Sequence, residues 1–131
     1  MEKEFVSYEQ AVALKELGFN EPCLRFYTKS DCSSILSLDA DNGDTNSYLT
    51  TLHKNYVSAP LKQQVFRWFR DVCDMSFYIT RNLHFVDDNT KWNPIIGGMY
   101  YSELTFNTYE EAENGAINKL IELAKQQDNV Q

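Results

Sequence analysis

Glycine, proline, cysteine and histidine are all scarce in this chain of 131 residues, with five, three, three and two copies. So little glycine and proline excludes collagen-like and low-complexity chains. The three cysteines are odd in number and have no C-x-x-C spacing, so we expect reduced thiols and not a disulfide scaffold. No run of 18 or more apolar residues is present, which excludes a transmembrane helix in the sequence. Since no apolar segment follows the acidic start at residues 1–4, we expect a cytoplasmic protein without membrane contact.

Basic residues are also few, because 12 Lys and Arg stand against 19 Asp and Glu, a net charge of −7. The acidic balance is even along the chain. Residues 1–58 hold 5 basic and 9 acidic groups (−4), and residues 59–131 hold 7 and 10 (−3). A block of cations that could follow a nucleic-acid backbone is missing, so a basic nucleic-acid binder of the usual kind is excluded. The simplest interpretation is a charge that keeps the domain in solution.

Hydrophobic residues make up 43% of the chain, enough for the core of one domain, which we place at residues 1–125 with a frayed polar tail at 126–131. Three helices are predicted. The first begins with the capping box Ser7 to Gln10 and ends at Gly18. The second is capped by Ser58, has Pro60 in its first turn and carries a wide apolar face. The third begins with a second capping box at Thr108 and runs from Tyr109 to about Lys125.

Between these helices the hydrophobic period changes to two, which predicts strands. The predicted strands are residues 24–28, 34–38, 47–52, 76–80, 83–86 and 99–106, with turns at Asn42-Gly43, at residues 87–89 and at Gly97-Gly98. The fold class is therefore α+β, a single domain of one antiparallel sheet with about three helices packed on it, in the order α-β-β-β-α-β-β-β-α. The sequence around Phe5–Ala11 is echoed at Phe106–Ala112. A duplication would explain the echo, but shared helix-start rules explain it more simply.

Catalytic and metal-binding motifs are missing. The loop at residues 39–46 is rich in oxygen ligands, but Leu38 and Leu49 occupy places where an EF-hand needs ligands. His53 and His84 lie in no zinc-binding pattern and are not spaced with a cysteine. Cys73 falls on the apolar face of its helix, where an inert thiol is expected. We therefore predict no catalytic residue, no metal and no cofactor, and a protein that is not an enzyme.

Aromatic residues are numerous, with 8 Tyr, 8 Phe and 2 Trp. Most are expected in the core, but Trp92 lies in a predicted loop, and one of the adjacent Tyr100 and Tyr101 must face away from the other. Exposed rings beside arginines can anchor a protein or stack on a base. The candidate binding residues are Arg67, Trp68, Arg70, Trp92, Tyr100 and Tyr101.

The order of elements after residue 58 is that of a double-stranded-RNA-binding domain. Such domains hold phosphates with cations at the start of the last helix. Here Glu110, Glu111 and Glu113 occupy those places and would repel phosphates, so binding of double-stranded nucleic acid is not expected.

Three stretches together carry a resemblance to a known group, namely Phe5–Cys23, Ala59–Arg70 and Thr108–Glu113 leading to Leu120-Ile121-Glu122. They resemble short hypothetical proteins of gut Bacteroides-type bacteria and their phages, including crAss-like phages. The Arg67-Trp68-Phe69-Arg70 segment is the most specific part. The resemblance implies a cytoplasmic accessory protein of a phage or mobile element, and it carries over no catalytic residue. The chain departs from the group at Asp71–Met75, where an ending like Lys-Tyr-Gly-Leu is expected.

Two functional hypotheses follow. The first is a non-enzymatic interaction module that contacts a protein partner or its own copy. The alternative is a small-ligand binder that sequesters a nucleotide signal in an anti-defence role, since aromatic walls and arginines are both available. An enzyme would need convergent His or Cys residues that the sequence does not align.

Overall fold

The computed structural model describes residues 4–30, 33–38, 56–81 and 90–130. Along the chain these form α1 (Tyr8–Glu16), β1 (Arg25–Ser30), β2 (Ser33–Leu38), β3 (Tyr56–Ala59), α2 (Lys62–Val72), β4 (Phe77–Thr80), β5 (Asn93–Ile96), β6 (Met99–Tyr100) and α3 (Tyr109–Val130). The predicted α+β class is confirmed, and the order of the described elements roughly matches the predicted order.

The strands form two sheets where the sequence predicts one. Both sheets are antiparallel, with the orders β2-β1-β3 and β4-β5-β6. The chain divides into two compact units, residues 1–64 and 65–131, and the division falls within α2. Each sheet belongs to one unit, because strands that are close along the chain pair with each other before they pair with distant ones. The single domain over residues 1–125 stays a prediction.

Helix α1 in the first unit begins and ends as predicted. The Ser7 hydroxyl accepts a hydrogen bond from Gln10 N–H at 3.2 Å, and the Gln10 side chain accepts one from Ser7 N–H at 2.9 Å, which completes a capping box. The helix is closed by Leu17, and Gly18 follows with φ of +100°, a conformation that glycine adopts without strain.

The first unit is held by contacts of α1 and the preceding segment with its sheet. Val6 N–H donates to Pro60 C=O at 3.1 Å, and the Tyr27 hydroxyl donates to Val6 C=O at 2.7 Å. Helix α1 packs against β3. Ser58 lies buried within β3, so the prediction that it caps α2 is wrong. The buried apolar residues of this unit are Phe5, Val6, Ala11, Leu14, Phe19, Cys23, Val57 and Ala59.

Helix α2 has the predicted two faces along most of its length. Val65, Phe66, Trp68 and Phe69 are buried, and Arg67, Arg70 and Asp71 are exposed on the other side. The prediction is wrong at the end of the helix, where Val72 is 64% exposed. The helix stops there because Asp74 has φ of +54° and turns the chain away.

The second unit packs α3 against β4 and β5. Most of the predicted apolar side of α3 is buried, namely Ala112, Ala116, Ile117, Leu120, Ile121 and Ala124. The Phe66 and Phe77 rings stack at 3.9 Å between centroids. The helix is longer than predicted, since it continues to Val130 where the sequence predicts a frayed tail after Lys125.

Strand β5 is not predicted from the sequence, because Pro94 is typical of a break in a sheet. Pro94 pairs with Ile79 of β4, but β6 reaches only Ile95 and Ile96. Proline has no backbone N–H to donate, and Pro94 lies beyond the part of β5 that β6 pairs with.

Several predictions fall outside the described residues: the strands at 47–52 and 83–86, the turns at Asn42-Gly43 and 87–89, and Cys32, His53 and His84.

Candidate functional site

The second unit contains an open cleft of about 710 Å³. Three segments line it: the chain after α2, the β5–β6 hairpin with the residue that follows it, and the C-terminal part of α3. A volume of this size lies within the range of ligand-binding pockets, roughly 300–1,000 Å³. The lining residues are Asp74, Met75, Ile96, Gly97, Met99, Tyr101, Leu123, Gln126 and Gln127.

The apolar part of the cleft combines fixed and accessible side chains. Met75 and Ile96 are buried, with 8% and 3% of their surface exposed, whereas Met99 is 57% exposed. Leu123 of α3 is half-buried. Two methionines in one small site give an adaptable apolar surface, because the unbranched thioether side chain changes shape at little cost.

The end of α2 determines where Asp74 lies. Cys73 N–H and Met75 N–H both donate to Phe69 C=O, at 3.1 and 2.9 Å, so the chain turns sharply around Asp74. Asp74 is exposed and is the only charged residue among the described residues that line the cleft. A helix C-terminus carries a partial negative charge. The Asp74 carboxylate therefore adds to the negative potential at this end of α2.

The hairpin between β5 and β6 turns at Gly97 and Gly98, as the sequence predicts. Both have positive φ, +59° and +79°, and Gly97 N–H donates to Ser76 C=O at 2.8 Å. This turn requires residues that accept left-handed backbone, which glycine does freely. The turn brings Ile96 and Met99 together on one wall of the cleft.

Tyr101 joins the cleft to a charged cluster. The Lys119 ammonium lies 4.6 Å from the centroid of the Tyr101 ring, a cation–π contact. The same ammonium lies 3.7 Å from Glu103 Oε1 and 3.4 Å from Glu122 Oε2, and the Lys119 side chain is only 14% exposed. Lys119 is thus compensated by two carboxylates and restrains Tyr101 from outside the cleft lining.

The two adjacent tyrosines point to opposite faces, which confirms the prediction for this pair. Met99 and Tyr101 line the cleft. Tyr100, between them, pairs with Ile95, which pairs in turn with Tyr78 of β4. Directly opposed residues share one face of a sheet, so Tyr100 lies on the face away from the cleft.

Trp92 is not in an exposed loop as predicted, since it pairs with Phe106 through two backbone hydrogen bonds of 2.8 and 2.9 Å. Its ring meets Tyr109 edge-to-face at 5.3 Å between centroids, and the Arg81 guanidinium lies 4.8 Å above it. The ring is half-buried. Trp92 is therefore packed against two exposed side chains, the ring of Tyr109 and the guanidinium of Arg81.

The predicted residues of α2 separate into core and surface. Trp68 is 5% exposed and packs edge-to-face against Phe69, so it lies on the buried face of the helix. Arg67 and Arg70 are exposed. Arg70 Nε lies 3.4 Å from Asp71 Oδ1, with both side chains 61% exposed, an arrangement that contributes little to stability.

Tyr109, at the start of α3, has a pKa that is raised above the ordinary tyrosine value of 10.0. Partial burial of the phenol is the main cause, and the negative charge of Glu113 adds to it. The capping box predicted here is only partly formed. Glu111 N–H donates to Thr108 Oγ1 at 3.1 Å, but the Glu111 carboxylate accepts from Asn107 N–H instead of Thr108 N–H.

The described residues include no group of three or more His, Cys, Asp or Glu placed to hold a metal ion. Within the same residues, Cys23 is buried and Cys73 is half-buried. None of the described helices is both long enough and apolar enough to span a membrane.

Of the six residues that the sequence singles out, only Tyr101 lines the cleft. The other lining residues of the cleft were not predicted, because the cleft joins three segments that are far apart along the chain. Gly97-Gly98 was the one local signal, and the sequence marks it only as a turn. Comparison of the chain with protein-family models, with curated proteins and with solved structures gives no match.

Proposed function

We propose that the protein is a non-enzymatic interaction module and that the cleft of its second unit is the contact site for a protein partner. The observation that carries the proposal is the lining of the cleft. Accessible Met99 and Leu123 lie beside Asp74, Tyr101 and two glutamines. Binding sites commonly combine an apolar surface with a few polar groups that orient the ligand.

The lining also supports binding over catalysis. Its described ionisable groups are one carboxylate and one phenol, Asp74 and Tyr101. A nucleophile paired with a general base and a third, orienting group is the arrangement that covalent catalysis requires. The cleft offers side chains for contact but not this arrangement.

A second candidate function is the binding of a small molecule, which the volume of about 710 Å³ favours. The nucleotide-signal version of this function receives less support, because a phosphate would meet the Asp74 carboxylate and no lysine or arginine among the described lining residues.

The resemblance to proteins of Bacteroides-type bacteria and their phages adds the proposal of a cytoplasmic accessory role in a phage or mobile element.

Methionine methyl resonances give a direct test. Met75 and Met99 are two of the three methionines of the chain and both line the cleft. We would label the methionine methyl groups of the full chain with ¹³C and titrate it with a panel of capped tripeptides of varied side chains. We expect some peptides to shift the Met75 and Met99 resonances together and saturably. If no peptide in the panel shifts either resonance, the cleft is not a protein-contact site.

A matched pair of variants makes the test specific. Met99 and Tyr78 are both 57% exposed and belong to the same sheet, but they lie on opposite faces. Met99→Ser removes apolar surface from the cleft and should weaken peptide binding about fivefold, as reported by Met75. Tyr78→Ser should leave binding unchanged. Equal weakening by both variants would contradict the assignment of the site.

A further inference from the structure

The charge of the cleft indicates what kind of partner segment it accepts. Asp74 is the only charged group among the described lining residues, and it is exposed. The remaining polar groups, from Tyr101, Gln126 and Gln127, are uncharged. The second unit as a whole carries 6 basic and 10 acidic residues, a net charge of −4. The local and the overall charge therefore have the same sign.

Helix stability does not explain an acid at position 74. Glycine, asparagine and aspartate all adopt the left-handed conformation found here, with φ of +54°, so the backbone does not require a charged residue. A negative side chain at a helix C-terminus is unfavourable, because the helix end already carries partial negative charge. An aspartate here places a second negative charge beside the carbonyls of the last turn, and a cation is the ligand that both would attract.

The lysine that contacts the lining of the cleft is already engaged by carboxylates. Lys119 contacts the ring of the lining residue Tyr101, but its ammonium is already paired with Glu103 and Glu122. Two carboxylates around one ammonium leave that cluster negative as well. The contact of this cluster with Tyr101 therefore brings no net positive charge to the cleft.

The apolar lining of the cleft suits the alkyl stem of a lysine or arginine side chain and an apolar residue next to it in the partner's sequence. Lysine and arginine carry an alkyl stem that packs on apolar surface while the charged end stays solvated. Met99 and Leu123 offer such a surface, with the buried Met75 and Ile96 behind it. We propose that the cleft binds a peptide segment of a partner protein in which a lysine or arginine adjoins an apolar residue, with the cationic end at Asp74. This inference rests on the proposed function.

The test compares capped tripeptides Leu-X-Leu in which X is Lys, Gln or Glu, titrated into the full chain and followed by the methyl resonances of Met75 and Met99. We expect the Lys peptide to bind about two- to fivefold more tightly than the Gln peptide, the scale of one exposed ion pair, and the Glu peptide to bind more weakly than both. The advantage of the Lys peptide should shrink at high salt.

Two variants with the same change of charge distinguish the effect of the Asp74 carboxylate from the effect of the overall negative charge of the protein. Asp74→Asn removes the lining carboxylate and keeps a residue that tolerates positive φ. Asp71→Asn removes an exposed carboxylate of α2 that is outside the described lining. We expect Asp74→Asn to abolish the preference for the Lys peptide and Asp71→Asn to retain it. If Asp74→Asn does not fold, Asp74→Gly serves the same purpose, because glycine accepts this backbone conformation.

Each outcome decides between the two proposals. Equal binding of all three peptides, or tighter binding of the Glu peptide, would overturn the inference and leave the contact site in place. Retention of the Lys preference in Asp74→Asn, or its loss in Asp71→Asn, would also overturn the assignment to Asp74. If no peptide shifts Met75 or Met99, the proposed function itself fails.

Discussion

Aromatic side chains are used differently in the two units. In the described part of the first unit, Phe5 and Phe19 are buried, Tyr8 meets Tyr27 edge-to-face at 5.8 Å, and the Tyr27 hydroxyl is bonded to the backbone. In the second unit, the aromatic residues of α2 are buried as well, but Tyr78 is 57% exposed and Tyr109 is 42% exposed.

The two units share one construction, a helix packed on a three-stranded antiparallel sheet. The two units differ in the surface beside the helix. In the second unit, the C-terminal part of α3 and the β5–β6 hairpin line an open cleft. Met99 of this hairpin is 57% exposed and gives the cleft an accessible apolar surface. The contact function that we propose belongs to the second unit, because the cleft lies there.

Truncation of a core leucine in each unit should have the largest effect. Leu14 of α1 and Leu120 of α3 are both fully buried. Leu14→Ala and Leu120→Ala should each lower the free energy of unfolding by about 2–5 kcal/mol, because each leaves a cavity. Hydrogen exchange should show the loss of protection first in residues 1–64 for Leu14→Ala and in residues 65–131 for Leu120→Ala. The same pattern of exchange in both variants would break the division into two units.

Gly115 of α3 should tolerate no side chain. A Cβ atom built there would clash with Phe106 Cζ and would lie 2.6 Å from Phe106 Cε2. Gly115→Ala should therefore destabilise the protein by about 1–3 kcal/mol in urea unfolding, although alanine is the better helix former. Gly115→Ala combined with Phe106→Leu should recover part of the loss. Stabilisation by Gly115→Ala alone would show that the helix does not approach Phe106 so closely.

The two helix starts should differ in what their caps contribute. Ser7→Ala should cost about 1 kcal/mol, because it opens a complete capping box on a helix of only nine residues. Thr108→Ala should cost less, about 0.5 kcal/mol, because that box is incomplete and exposed and α3 is long and well packed. Chemical denaturation of both variants measures the difference. A larger loss of stability in Thr108→Ala than in Ser7→Ala would contradict this ranking of the two caps.

The raised pKa of Tyr109 predicts a small loss of stability in alkali. At a pH well below 10, the phenol is protonated in both the folded and the unfolded chain and contributes no pH dependence. Above that, the unfolded chain releases the proton first, so stability falls as the pH rises until it passes the folded pKa. Tyr109→Phe should remove this part of the alkaline loss, and Glu113→Gln should reduce it. An unchanged alkaline profile in Tyr109→Phe would contradict the assignment.

Local chemistry made much of the fold predictable. The capping box at Ser7, the helix end at Gly18 and the turn at Gly97-Gly98 each depend on a few neighbouring residues, and all three are observed. The buried face of α2 was also predicted up to Phe69. The exposure of Val72 was not, because it depends on where the helix stops and not on its periodicity.

Features that depend on distant pairing were not predictable. Strand β5 contains Pro94, which local rules associate with a break, and it forms because β4 supplies the pairing. The cleft has the same origin, since Asp74, Met99 and Leu123 come together only when the hairpin and both helices are in place. Tyr101 was found because an adjacent tyrosine forces one of the two rings to each face.

Photo-affinity labelling tests the central claim most directly. The probe is a capped Leu-Lys-Leu peptide with a diazirine on one leucine side chain, irradiated with the full chain and mapped by mass spectrometry. We predict that the label attaches to lining residues of the cleft, chiefly Met99, Tyr101 and Leu123, and that an excess of unlabelled peptide competes it away. Competable label on Tyr78, Arg81 or Tyr109 instead, with none in the cleft, would contradict the account.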